Sequence, residues 1–249
     1  MCYFMEVMTQ RRGLNGFQIK LIMAFLMVLN HLEFGYNFVS DDLAHVFLII
    51  SRCVAPMFAY LAIEGIIYTR NLKRYCLRLV MWTILVLAGN KLLTYLLINF
   101  SSTIVESNYI YLKIRTFICP TIVAGVLCIS FIIWSKDSKG IVRSLFLMMS
   151  AICFIIGFWS EWGVVLLPFM LITYFLHNKK GERFLGYIAV EIIAILLRSE
   201  IYYFFVFPFI ALYNGERGLN NKFGKYFFYV FYPLHLWIIA FINFIILSR

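Results

Sequence analysis

Four ionisable side chains stand inside long apolar stretches of this sequence, where a charged or titratable group is unusual. They are His31, Arg52, Lys91 and His235, each in a different stretch. Inserting such a group in a membrane-spanning helix costs roughly 3 kcal/mol, so it usually faces the bundle interior and has a function. An imidazole can accept a proton near neutral pH, and a guanidinium can hold a carbonyl oxygen or an anion. The pattern predicts either proton-transfer chemistry or hydrogen-bonded packing.

The depths of these groups in the membrane follow from the helical rise of 1.5 Å per residue. Counted from the inner face, His31 lies at about 21 Å, Arg52 at about 18 Å, Lys91 at about 18 to 20 Å and His235 at about 14 Å. We therefore expect the four to share a layer near the middle of the membrane. Glu64 is expected lower, nearer the cytoplasmic side.

The last apolar stretch contains a second group of polar atoms. Tyr232 and His235 are three residues apart and share one helical face. Pro233 has no N–H and leaves the Tyr229 carbonyl without its helical partner. A phenol, an imidazole and a free carbonyl are thus predicted around one spot.

A run of cations follows the second apolar stretch. Arg70, Lys73, Arg74 and Arg78 fall on one side of a helix. Guanidinium groups suit phosphate oxygens, so this basic stripe could bind a phosphorylated ligand. Topogenic charge that contacts anionic membrane lipids is the alternative.

Composition decides the class of protein. Of the 249 residues 63% are hydrophobic and 14% charged, and the mean hydropathy is +0.87, whereas a soluble domain is about 45–50% apolar and about 25% charged. These values exclude a soluble globule, a nucleic-acid module and a disulfide scaffold. The six cysteines show no CxxC spacing, so we expect no metal site. One transmembrane domain over 1–249 is expected, with no soluble domain.

The expected fold is an all-α, polytopic integral membrane bundle of about nine helices. The predicted spans are 17–38, 43–69, 78–98, 115–135, 142–158, 162–177, 184–198, 200–213 and 226–247. The fifth to eighth are short, so eight spans are also possible. With the N-terminus inside and the C-terminus outside, 16 of the 22 lysines and arginines lie in the inner connectors, at 11–20, 70–78, 136–143, 179–183 and 217–225. This agrees with the positive-inside rule and accounts for the net charge of +10.

The order of the motifs resembles the TraX family of polytopic membrane proteins over nearly the whole chain. The matching features are Asn30-His31, Arg52-x3-Pro56, Glu64-Gly65, Thr69-Arg70, Arg74, Arg78, Glu161-Trp162-Gly163 and the segment Phe231-Tyr232-Pro233-Leu234-His235-Leu236. The last segment and the histidine of the first span are the most specific. The family usually has Asp before that histidine, where this sequence has Asn30.

The resemblance implies an acetyltransferase in the bacterial cytoplasmic membrane, because the family's namesake is associated with N-terminal acetylation of conjugative pilin. It implies acetyl-CoA as donor and places His31, Arg52, Glu64, Arg70 and His235 at motif positions. Acyl transfer to a peptide, glycan or lipid acceptor needs a base and a group that steadies the oxyanion. His31 suits the first role, with His235 as competitor, and Arg52 suits the second. The basic stripe is expected to hold the phosphates of coenzyme A, the membrane lipids are the other partners, and no nucleic acid is expected.

Two other functions remain open from the sequence. A small transporter or flippase could use a buried His and Arg as a proton or anion path. The absence of an inverted repeat speaks weakly against this. A non-catalytic assembly partner of a secretion or conjugation system would need no buried ionisable layer.

Overall fold

The structure, a computed structural model, describes residues 13–100, 104–114, 118–198, 205–219 and 221–249. Arg11, Arg12 and the start of the predicted 200–213 helix lie outside these residues. Within the described ranges the secondary structure is helical, and the only β-contact is an isolated bridge between Leu14 and Tyr213. The all-α bundle expected from the sequence is confirmed.

Ten α-helices are present in the described part of the chain. They are α1 Gly16–His31, α2 Asp41–Ser51, α3 Val54–Tyr68, α4 Leu72–Asn99, α5 Ile118–Lys136, α6 Gly140–Trp159, α7 Gly163–Phe175, α8 Lys180–Arg198, α9 Val206–Leu212 and α10 Lys222–Leu247. Short 3₁₀ helices cover Leu32–Phe34 and Glu106–Tyr111.

Six helical stretches of the described residues are long and apolar enough to cross a membrane. They are Gly16–Phe34, Asp41–Tyr68, Leu72–Asn99, Ile118–Lys136, Gly140–Trp159 and Tyr226–Leu247. Helix α7 is apolar but has only 13 residues, and α9 has seven. The chain is therefore a polytopic membrane protein, while the count of nine crossings and their orientation stay predictions.

The second predicted span is two helices rather than one. A turn at Arg52 and Cys53 separates α2 from α3. Pro56 explains the position of the break, because a proline has no N–H for the Arg52 carbonyl and is tolerated in the first turn of a new helix. The interruption lies at the membrane depth predicted for Arg52.

The core lies where α1, α3, α5 and α7 meet. Its fully buried side chains include Met23, Met57, Ile63, Ile129 and Leu166. Helix α6, by contrast, leaves most of its apolar side chains exposed, with only 11% of its candidate span buried. Exposed apolar side chains on a membrane helix are the surface that faces lipid. The polar groups described below lie inside the bundle, away from this lipid-facing surface.

Helices α1, α4 and α10 run in the same direction. Each begins with an asparagine cap, whose side chain accepts a backbone N–H of the first turn: Asn15, Asn71 and Asn221. We call the end of the bundle with these caps the basic end, because Arg74 and Arg78 lie within two turns of it. Helices α1 and α4 each pack against α10, α1 through Lys20 and Phe228 and α4 through Arg78 with Tyr229 and Asn90 with Trp237.

Candidate functional site

Two buried histidines meet between α1 and α10. His31 Nδ1 lies 2.7 Å from His235 Nε2, and the two rings are within 11° of parallel. The residues are only 6% and 7% exposed. Both rings come from sequence-predicted site residues that are 204 positions apart. The structure therefore joins the two histidines that the sequence placed only at neighbouring depths.

The hydrogen-bond partners determine which nitrogen carries the proton. His235 Nδ1 lies 2.9 Å from the Phe231 carbonyl oxygen, which can only accept. For two neutral rings, His235 Nδ1 is then the donor to Phe231, and its Nε2 must accept from His31 Nδ1. The remaining Nε2 of His31 keeps its lone pair, and no hydrogen bond reaches it in the described part of the chain. This is the tautomer that a general base requires.

His31 lines a small, open pocket at the end of the bundle opposite the asparagine caps, with about 20 Å³ of free space, room for about one water molecule. The other lining residues come from α10, from the segment after α1 and from the 104–114 connector: Phe34, Tyr111, Lys113, Ile114, Leu236, Ile239 and Ala240. Its walls are mostly apolar, with Tyr111 and Lys113 as polar groups besides the histidine. The pocket thus gives one ring of the histidine pair a position next to accessible space.

Asn243 holds the two segments that form the mouth of this pocket. Its Nδ2 donates to the Phe34 carbonyl at 2.9 Å and to the Tyr111 carbonyl at 2.8 Å, and its Oδ1 accepts from Tyr36 N at 2.9 Å. The residue is fully buried. Sequence reasoning missed this asparagine, although an amide inside an apolar span was a visible signal.

The other polar residues at this depth are arranged differently from the predicted layer. Lys91 is exposed on α4, and its neighbour Asn90 points inward and accepts from Trp237 Nε1 at 2.7 Å. Tyr232 packs edge-on against His235 at 6.0 Å between ring centres, and the Cys119 thiol of α5 is a polar neighbour of its side chain. The carbonyl beside His235 is that of Phe231 rather than the predicted Tyr229. Of the four groups of the expected layer, the structure brings the two histidines into contact and leaves Lys91 exposed, while their depth in the membrane stays a prediction.

Arg52 lies beside the loop that follows α1. Its guanidinium stacks on Trp162, 4.6 Å from the ring centre, and Glu33 is a charged neighbour. Trp162 has a left-handed backbone with φ of 66°, which is rare for a large residue. The hydroxyl of Ser51, the residue before Arg52, donates to the side-chain oxygen of Asn30 at 2.9 Å. Asn30 therefore ties α2 to the end of α1 and is not bonded to His31.

Glu64 belongs to a different cluster, near the end of α3. The carboxylate lies 3.5 Å from His177 Nδ1, and Tyr213 is a hydrogen-bonding neighbour. Burial, and then Arg183, lower the pKa of His177, so the ring is neutral at neutral pH. The contact of Glu64 with His177 is thus not an ion pair. None of these partners belongs to the histidine pair, and the sequence offered no pattern that linked His177 to Glu64.

The predicted basic stripe divides into two parts. Arg70, Lys73 and Arg74 are exposed at the surface. Arg78 instead turns toward α10, where its Nε donates to the Tyr229 hydroxyl at 3.2 Å. Only this last member of the stripe reaches the bundle.

In the described part of the chain no group of three His, Cys, Asp or Glu side chains is arranged to hold a metal ion. The five cysteines that the structure describes are free thiols. Three of the four ring nitrogens of the histidine pair are hydrogen-bonded, two to each other and one to the Phe231 carbonyl. The fourth, His31 Nε2, is left for proton transfer.

Comparison with known proteins gives a family but no solved relative. Probable fimbrial assembly protein FimC, serogroup H1, of Dichelobacter nodosus is 21% identical over 249 residues, covering 92% of this chain and 96% of the relative. No solved structure matches the chain. A family model described as TraX protein matches residues 15–243, which include both histidines and the basic stripe. The resemblance seen in the sequence is confirmed, and the chain belongs to the TraX family.

Proposed function

We propose that this protein is an acetyltransferase of the bacterial cytoplasmic membrane that moves an acetyl group from acetyl-CoA to an acceptor amine or hydroxyl. The observation that carries the proposal is the buried pair of His31 and His235 beside an open pocket. A histidine that only packed between helices would not need a position at a pocket wall, and His31 has one. Membership of the TraX family supports the same activity.

The reaction assigns a distinct task to each ring. His31 Nε2 takes the proton of the acceptor N–H or O–H as the acceptor attacks the thioester carbonyl carbon. The C–S bond breaks, and the leaving thiolate of coenzyme A takes the proton back from His31. His235 is the positioning residue, because it accepts from His31 Nδ1 and keeps the lone pair on Nε2. Arg52, close to the end of α1, is assigned to the developing oxyanion.

The donor is proposed to approach from the basic end. Arg70, Lys73 and Arg74 are exposed there, and exposed cations attract a phosphorylated ligand over a distance set by the ionic strength. The acceptor, a peptide N-terminus such as that of pilin, a glycan or a lipid, is proposed to use the pocket at the other end. The two substrates would then meet at the histidine pair.

An assembly role without chemistry is the second candidate. It is favoured by the name of the relative from Dichelobacter nodosus, which is called a probable fimbrial assembly protein. Under this function the histidine pair would only stabilise the packing of α1 on α10. Replacement of either histidine would then change the stability of the protein and no reaction rate.

The deciding experiment uses the full chain in lipid nanodiscs with radiolabelled acetyl-CoA. The probes are a synthetic peptide with a free N-terminus, the same peptide with a blocked N-terminus, and an amino sugar, each followed by mass spectrometry of the product. We expect acetylation of at least one unblocked probe and a loss of about 100- to 10,000-fold in His31→Gln. Normal turnover in His31→Gln would refute the assignment of the base.

A matched control separates chemistry from packing. Trp237→Phe removes the hydrogen bond to Asn90 two residues after His235, and leaves the histidine pair intact. We expect this variant to lower thermal stability and to keep its rate of transfer. If His31→Gln and Trp237→Phe changed the rate by the same factor, the histidine would have a packing role and the assembly function would be preferred.

A further inference from the structure

Three cations from separate parts of the chain come together at the basic end of α1, α4 and α10. Lys20 Nζ lies 5.8 Å from the centre of the Phe228 ring. Arg78, from α4, stacks on Tyr75 at 5.6 Å and hydrogen-bonds Tyr229, the residue after Phe228. Arg217 is the third member, and both Arg78 and Arg217 are charged neighbours of Lys20. We call these residues the three-cation cluster.

The position of Arg217 is set by the backbone. Gly16 N donates to the Glu216 carbonyl at 2.8 Å, so the segment before α10 is pinned to the first turn of α1. An added Cβ at Gly16 would be in van der Waals contact with the Arg217 carbonyl oxygen, 3.4 Å away. Main-chain contacts therefore hold the backbone that carries the third cation beside α1.

No acidic side chain neutralises this cluster in the part of the chain that the structure describes. The ion pair seen there, of Lys179 with Glu182, does not involve the three cations. Like charges brought together by a fold repel one another, and a neighbouring anion relieves that repulsion. The positive ends of the α1, α4 and α10 helix dipoles lie at the same end of the bundle and add to the attraction for an anion.

The cluster is also at a suitable distance from the histidine pair. Lys20 and His31 are 11 residues apart on α1, which corresponds to about 16 Å along the helix. In coenzyme A, a long pantetheine arm separates the phosphates from the thioester. Phosphates held at one end would place the thioester near the other.

We propose that Lys20, Arg78 and Arg217 form the binding site for the phosphate groups of the acyl donor. The identity of the donor rests on the proposed function, while the affinity for phosphate rests only on the cluster. The site differs from the predicted basic stripe, of which it keeps Arg78 alone. The exposed members of the stripe attract the donor, and the three-cation cluster, in which Lys20 and Arg78 are half-buried and Arg217 is exposed, binds it.

The test measures binding of coenzyme A, dephospho-coenzyme A and pantetheine to the full chain in phosphatidylcholine nanodiscs. The variants are Lys20→Met and Arg217→Gln, and the matched control is Arg143→Gln, an exposed cation at the start of α6. Charge-assisted hydrogen bonds predict a tenfold or greater loss of coenzyme A affinity in each variant and a change of less than about twofold in the control. Pantetheine, which has no phosphate, is expected to bind weakly and equally to all forms.

Several results would overturn the proposal. Unchanged coenzyme A affinity in both Lys20→Met and Arg217→Gln would exclude the cluster. Retained coenzyme A binding with loss of bound phosphatidylglycerol, seen by native mass spectrometry, would assign the cluster to a lipid headgroup instead of the donor. Lys20→Arg keeps the charge and is expected to retain affinity, so equal losses in Lys20→Arg and Lys20→Met would indicate a packing role and refute the site.

His31→Gln distinguishes this proposal from the proposed function. It is expected to bind coenzyme A normally because the histidine pair lies at the other end of α1. Normal binding with no transfer in any form would overturn the function and leave the phosphate site standing. Normal acetyl transfer by the wild type, together with unchanged coenzyme A affinity in Lys20→Met and Arg217→Gln, would overturn the phosphate site and leave the proposed function standing.

Discussion

Replacing His235 with leucine should slow acetyl transfer without removing the base. Leucine cannot accept the proton of His31 Nδ1, which the structure places 2.7 Å from His235 Nε2 in a buried site. A buried donor left without a partner costs about 1 to 3 kcal/mol. If this cost raises the free energy of the transition state, the rate falls about tenfold for each 1.36 kcal/mol. We expect a decrease of about 10- to 100-fold for His235→Leu.

The comparison variants make this estimate specific to the hydrogen bond. His235→Gln supplies an amide oxygen that can accept from His31 Nδ1, so its rate is expected to stay within about tenfold of the wild type. His31→Gln removes the base and is expected to lose about 100- to 10,000-fold. The double variant His31→Gln with His235→Leu should be no slower than His31→Gln alone, because groups that act as one unit are not additive.

The assay is the initial rate of acetyl transfer at saturating donor and acceptor, with thermal stability measured on the same samples. The reasoning fails if His235→Leu is slower than His31→Gln, because His235 would then be the base and His31 its partner. It also fails if the losses in the double variant add, because the two rings would then act independently.

Three further predictions concern topology, the pocket mouth and the surface charge. In a background without native cysteines, Arg74→Cys should react only with reagent supplied from the cytoplasm and Ser107→Cys only from the outside, and the reverse labelling would invert the bundle. Asn243→Leu removes three hydrogen bonds at the pocket mouth and should lower stability by roughly 2 to 4 kcal/mol, seen as a lower Tm in detergent; an unchanged Tm would show that the mouth does not depend on this amide. The double variant Arg70→Gln with Arg74→Gln should weaken donor binding a few-fold at low salt and not at high salt, since exposed charges are screened; a loss that persists at high salt would assign these side chains to direct contact.

The choice of an all-α membrane bundle could be made from composition alone. With so few charged residues there is no polar surface to cover a soluble domain, and a backbone in lipid must bond to itself within helices. The break between α2 and α3 was predicted as one continuous span over 43–69, although Pro56, which leaves the Arg52 carbonyl without a partner, was a visible local signal. Such features depend on local chemistry, which the sequence contains in full.

The site was predictable in its members and only partly in its geometry. A constant rise per residue places His31 and His235 at related depths, which is why the sequence could nominate both. Depth says nothing about the direction in which a side chain points around the helix. Lys91 was nominated by depth, and the structure turns it outward and its neighbour Asn90 inward.

The sequence by itself determined the class of the protein, its helical stretches and the family motifs. Those properties come from hydropathy, charge and spacing, which act over a few residues. The tertiary structure alone decided that His31 is hydrogen-bonded to His235 and that Glu64 lies beside His177. It also decided that Lys20 lies near two arginines from distant parts of the chain. The reason is that the rotation of each helix about its axis is set by packing against its neighbours, and that packing joins residues as far apart as 204 positions.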